Sequence, residues 1–118
     1  MRKDKYLKKA LSWVEKRSTV SVNSIAEDYD DPKAFISKSS KEKIRADISF
    51  VTHGGAKHFI EIALKNMDTK KQVVKWKVLS FIAGVKRGKL HLLAPKGHKA
   101  HAERLIKRYN INAMVYSL

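Results

Sequence analysis

Leu7, Ala10, Leu11 and Val14 recur at i, i+3, i+4 and i+7 within residues 3–17, while Lys5, Lys8, Lys9 and Lys16 fall mostly on the other side. This spacing predicts a first amphipathic helix. The β-branched alternation STVSVNSI predicts a strand over 18–25. EDYDDPKAF then concentrates four acids and a proline in an expected loop, and SKSSKEK is polar and expected to be mobile. Strands are predicted at 46–52 and 57–65, joined by a tight turn at Gly54-Gly55 where positive φ is easily reached.

Asp68 or Thr69 is a candidate N-cap for a second helix, marked by Val74, Val78, Leu79, Phe81, Ile82 and Val85 and ending near Gly88. KLHLLAP reads as a short buried strand. Ala102, Leu105, Ile106 and Tyr109 predict a third helix over 98–109, and INAMVYSL a closing strand. The order αβββαβαβ implies an α/β fold with a mixed central sheet, because the later strands return by helical crossovers and pack parallel. Helices should then cover both faces.

The length of 118 residues suits one domain, 1–118, and an apolar fraction of 43% can supply its core. Charge changes the picture more. Lys and Arg total 26 against 11 Asp and Glu, a formal +15, which implies a polyanionic partner, nucleic acid before anionic membrane. No apolar run is long enough to span a bilayer, and MRKDKYLKK lacks the apolar centre of a signal peptide, so a soluble cytoplasmic protein is expected. Cysteine is absent, which excludes disulfides, thiolate metal sites and cysteine nucleophiles.

Candidate chemistry concentrates in ADISFVTHGGAKHFIEIALK, residues 46–65. In an extended strand Phe59, Glu61, Ala63 and Lys65 share one face and Ile60, Ile62 and Leu64 the other. Asp47 opens the neighbouring strand, so hairpin pairing is expected to bring it near Lys65. Carboxylates that hold Mg²⁺ beside a lysine suit phosphodiester hydrolysis, which needs charge stabilisation and a deprotonated water.

This ordering resembles the PD-(D/E)xK nuclease superfamily, with its restriction-endonuclease-like fold. RADISF stands for the PD strand and IEIALK for the acid-x-Lys strand, and QVVKW, Gln72 to Trp76, looks like the QxxxY signature of the RecB-type exonuclease branch. The resemblance implies that Asp47 binds metal, Lys65 orients or activates water and Gln72 helps place substrate. Ala46 replaces the proline, and Ala63 occupies the acid position two before Lys65, where a methyl group cannot bind Mg²⁺ or Mn²⁺. Glu61, on the same strand face, is therefore the expected second ligand, and Glu15 is the acid that the first helix offers.

Other features carry less chemistry. His98 and His101 have a spacing that can hold a metal, but no third ligand is evident nearby. The turn PKGHK offers backbone N–H groups with Lys96 and Lys99 to a phosphate, or else forms a capping turn with solvated lysines. EDYDDP lacks the spaced ligands of a calcium loop. Trp13, Trp76, Tyr6 and Phe81 lie in predicted helices, where core packing is the usual role. A Walker loop, a dinucleotide fingerprint and a Gly-x-Ser-x-Gly elbow are all missing.

The leading expectation is a metal-dependent nuclease acting on DNA in preference to RNA, with Mg²⁺ or Mn²⁺ on Asp47 and Glu61. Two alternatives remain open: a non-catalytic nucleic-acid-binding module with a decayed site, and a basic accessory subunit on an acidic protein partner. Self-association as a homodimer is also left open.

Overall fold

A computed structural model describes residues 3–17, 19–26, 29–36 and 41–118. Three helices, α1 (Asp4–Glu15), α2 (Thr69–Val85) and α3 (Lys99–Arg108), pack on a five-stranded sheet. The strands of the sheet are β1 (Thr19–Ser24), β4 (Ile48–Thr52), β5 (Lys57–Ile62), β6 (Leu90–Ala94) and β7 (Ala113–Ser117), in the spatial order β1-β4-β5-β6-β7. β1, β4 and β5 pair antiparallel, whereas β5, β6 and β7 are parallel and joined through α2 and α3. The mixed α/β sheet expected from the element order is present, with helices on both faces.

Side-chain alternation along the central strands builds two cores. Ile60, Ile62 and Leu64 join Leu7, Ala10, Leu11 and Val14 of α1 on one face. Phe59, Ala63, Leu90 and Leu92 join Val73, Trp76, Leu79 and Ala83 of α2 with Ala102 and Leu105 of α3 on the other. α2 is apolar on its outer side as well: Phe81 and Val85 are 74% and 65% exposed, so the core position expected for Phe81 is corrected. The inward stripe of α2 is Val73, Trp76, Leu79 and Ala83, with Val78 and Ile82 packed against its edge, whereas Val74 and Val85 of the expected pattern are exposed.

The second departure is a separate two-stranded ribbon, β2 (Ala34–Ile36) paired with β3 (Lys43–Arg45), in a region expected to be a loop and a polar mobile segment. Its apolar anchors come from short segments: Ile44 is buried and Phe35, between Ala34 and Ile36, packs edge-on against Phe59 at 6.0 Å. Glu27 and Asp28 of the acidic loop and residues 37–40 of the polar stretch lie outside the described residues.

Local geometry fixes where the site forms. The β4–β5 hairpin closes through His53–Gly55, with Gly55 at φ 84°, and the Thr52 N–H donates to the Ala56 carbonyl at 3.0 Å. β5 ends at Ile62 instead of running to residue 65, because a turn at Lys65–Asn66 leads to Asp68, whose carboxylate caps α2 by accepting from the Lys71 N–H. α2 ends in a Schellman turn whose left-handed residue is Arg87 at φ 63°, with the Gly88 N–H donating to Ala83 and the Arg87 N–H to Gly84. Gly88 serves a different need: a Cβ there would stand 1.7 Å from the Lys57 carbonyl oxygen.

Candidate active site

Pairs Ile48–Ile60 and Ser49–Phe59 set the register of the hairpin, and one further step sets Asp47 opposite Glu61. The two carboxylates continue the ladder where strand β4 stops. The Asp47 N–H donates to Glu61 Oε2 at 2.8 Å, and the Ile62 N–H donates to Asp47 Oδ2 at 2.9 Å. Both acids are buried, at 3% and 1% exposure.

Two ammonium groups balance them. Lys3, just before α1, lies 2.9 Å from Asp47 Oδ2 and 3.6 Å from Glu61 Oε1. Lys75 of α2 lies 3.0 Å from Glu61 Oε1. Burial, reinforced by the Asp47 charge, pushes the Glu61 carboxyl above the usual carboxylate range although Lys3 and Lys75 pull the other way. Burial alone would lower the Lys3 pKa, but attraction to Glu61 and Asp47 with the hydrogen bonds outweighs it and raises the value.

Lys65 is not part of this cluster. It lies in the turn past β5, exposed, with its N–H donating to His98 Nδ1 at 2.9 Å. The expected proximity of Asp47 to Lys65 is thus corrected, since the observed register sets Glu61 opposite Asp47. With Glu61 as the acid of the pair, the residue two further on is Ala63, so the departure from the acid-x-Lys pattern falls on the lysine and not on the acid. The positive charges beside the acids come from Lys3 and Lys75. Lys3 precedes the helix without any pattern to mark it, whereas Lys75 sits three residues after Gln72 in a helix already aligned with the motif.

Gln72 is buried, and each end of its amide has a partner. Nε2 donates to the Leu64 carbonyl at 2.8 Å, and Oε1 lies 3.1 Å from His101 Nε2. Burial lowers the His101 pKa, with Arg104, His98 and Lys65 adding repulsion. The two histidines therefore serve as hydrogen-bond partners of Lys65 and Gln72. Lys96 and Lys99 are exposed at the start of α3, and Glu15 is exposed on α1, away from the acids' ion pairs.

Among the described residues no group of three or more His, Cys, Asp or Glu is arranged to hold a metal ion. Two converging carboxylates remain a hard-oxygen donor set of the kind that binds Mg²⁺ when substrate phosphate and water complete the shell. Their convergence on one cation is visible directly, because the Lys3 ammonium contacts both. Asp47 and Glu61 would hold the metal once Lys3 withdrew.

No helix among the described residues is long and apolar enough to cross a membrane. No family model matches the chain, and neither a curated protein nor a solved structure does so.

Proposed function

We propose that this chain is a cytoplasmic nuclease-like protein that acts on DNA, with Asp47 and Glu61 as its metal-holding carboxylates and Lys75 in the role first expected of Lys65. The observation that carries this reading is the buried Asp47–Glu61 pair on adjoining strands with the Lys75 ammonium 3.0 Å from Glu61. A bound divalent ion would supply Lewis-acid activation of the phosphodiester and of an attacking water.

The chain's own residues do the rest. Lys75 lines an open cleft and also touches Glu61, so it can stabilise charge that develops on a phosphate there. The backbone N–H groups of Asp47 and Ile62 hold the two carboxylates in fixed orientation. Ion pairing to Lys3 keeps both acids balanced in the resting protein.

A second reading has its own support. Lys3 and Lys75 already neutralise the acids, and Ala63 carries no charge at the motif position, which favours a decayed site on a nucleic-acid-binding module. Cleavage assays separate the two. With Mg²⁺ or Mn²⁺ and linear, nicked and branched DNA, the wild type should cut, while Asp47→Asn, Glu61→Gln and Lys75→Met should abolish cutting and keep binding. A wild type inert on every substrate with both metals would leave only the binding module, and activity confined to RNA would change the substrate.

A further inference from the structure

The β2–β3 ribbon gives the molecule a wall that the main sheet lacks. Between β3 and the first turns of α2 runs a cleft of about 550 Å³, to which β3 contributes Lys43, Ile44 and Arg45 and α2 contributes Lys71, Val74 and Lys75. Glu42 is the acid of its lining. Four cations therefore line this space, and one of them, Lys75, also pairs with the buried Glu61 behind it.

Spacing sharpens the match. Lys43 and Arg45 are two residues apart on a strand, about 6.6 Å along it. Lys71 and Lys75 are one helical turn apart, about 6 Å along the axis. Each wall thus repeats its positive charge at a distance comparable to that between successive phosphates of one strand. The apolar lining consists of aliphatic Ile44 and Val74, without an aromatic ring on which a base could stack. Among the described residues Arg45 pairs with Asp31 at 3.7 Å and its Nε finds no acceptor. Such a surface holds phosphates and does not read bases.

We infer that this cleft grips the sugar-phosphate backbone of one nucleic-acid strand, independently of sequence, and sets it against Lys75, the cation it shares with Glu61. The inference rests on the nucleic-acid reading above, and it assigns the β2–β3 ribbon as the second jaw of the site. Lys43 and Lys71 are exposed and touch neither acid, so their replacement should leave the fold intact.

The test compares two doubly substituted chains of equal charge change, Lys43→Glu/Lys71→Glu in the cleft and Lys8→Glu/Lys9→Glu on the far helix α1. Binding of a fluorescent duplex of arbitrary sequence is measured by anisotropy over a salt series, with circular dichroism to check the fold and cleavage followed in parallel. The cleft variant should bind at least about tenfold more weakly, with a salt slope lower by about two, since each lost phosphate contact removes about one unit. The α1 variant should change affinity less than about threefold, a general field effect. Lys43→Gln/Lys71→Gln gives the same reading should the charge reversals disturb folding. Equal losses in the two variants, or a wild type that does not bind even at low salt, overturn the inference. A wild type that binds through the cleft but never cuts removes the nuclease reading alone. One that cuts while the cleft variant matches the α1 variant removes the cleft alone.

Discussion

The ammonium of Lys3 stands 2.9 Å from Asp47 Oδ2, a pair removed almost wholly from water, with side-chain exposures of 10% and 4%. Withdrawing one partner of a buried ion pair is costly because the other is left uncompensated. Lys3→Met is therefore expected to lower stability at neutral pH by about 3 kcal/mol, read by urea denaturation. Added Mg²⁺ should raise the melting temperature of this variant more than that of the wild type, because the cation site is then open. The raised Lys3 pKa means that its contribution is complete below about pH 10.5 and fades as pH rises through the higher folded value. A neutral Lys3→Met change with no response to Mg²⁺ would discard both the ion-pair and the metal argument.

His91 supplies an acid-side prediction. It is packed against Trp13, Phe50, His58 and Tyr116, and burial with repulsion from His58, Arg17 and Lys89 lowers its pKa to about 4. The unfolded chain takes up this proton near 6.5, so the stability contribution is full above that pH and falls away between 6.5 and 4. After allowance for partial solvent screening, the loss should be on the order of 2 kcal/mol. His91→Phe should flatten that limb of the stability curve, and an unchanged slope would assign it to other groups.

Gln72 separates packing from substrate contact. Gln72→Leu leaves the Leu64 carbonyl without its donor and His101 without its partner, which should cost about 1–2 kcal/mol. DNA affinity should stay within about twofold, since the amide is already engaged inside the fold. Unchanged stability with a raised KM would return Gln72 to the substrate-placing role implied by the QxxxY resemblance.

Two glycines of one helix end should respond with opposite sign. Gly84 is an exposed position inside α2 where an added methyl group would meet nothing within 4 Å, so Gly84→Ala should stabilise by about 0.5–1 kcal/mol. Gly88→Ala meets the Lys57 carbonyl oxygen at 1.7 Å and forces backbone apart, for a loss of about 3 kcal/mol. Thermal melts of the two variants, run together, decide the point.

Much of this architecture was legible because it rests on periodicity. Leu7 to Val14 at helical spacing, Ile60, Ile62 and Leu64 at strand spacing, and the Gly54-Gly55 turn each declare a face, and the sheet follows from their order. The β2–β3 ribbon stayed hidden because its two strands are only three residues each and the partners of Phe35 and Ile44 lie in Phe59 and α2, far along the chain. Within the site, Asp47 and Glu61 were readable from the strands that carry them. Lys65 misled because the chain turns after Ile62, while Lys75 arrives from a helix whose rotation sequence alone does not fix and Lys3 stands just ahead of α1.

The interlocking of the two acids with backbone N–H groups bears on how such a chain would age. Asp47 and Glu61 act as the last rungs of the hairpin, so replacing either by a side chain without an acceptor oxygen disturbs folding whether or not DNA is ever cut. A lineage that abandoned cleavage would go on keeping both. Their presence in a descendant sequence reports an assembled hairpin, and it is the fate of Lys43, Lys71 and Lys75, which hold no backbone group in place, that would record whether the chemistry or the grip had been given up.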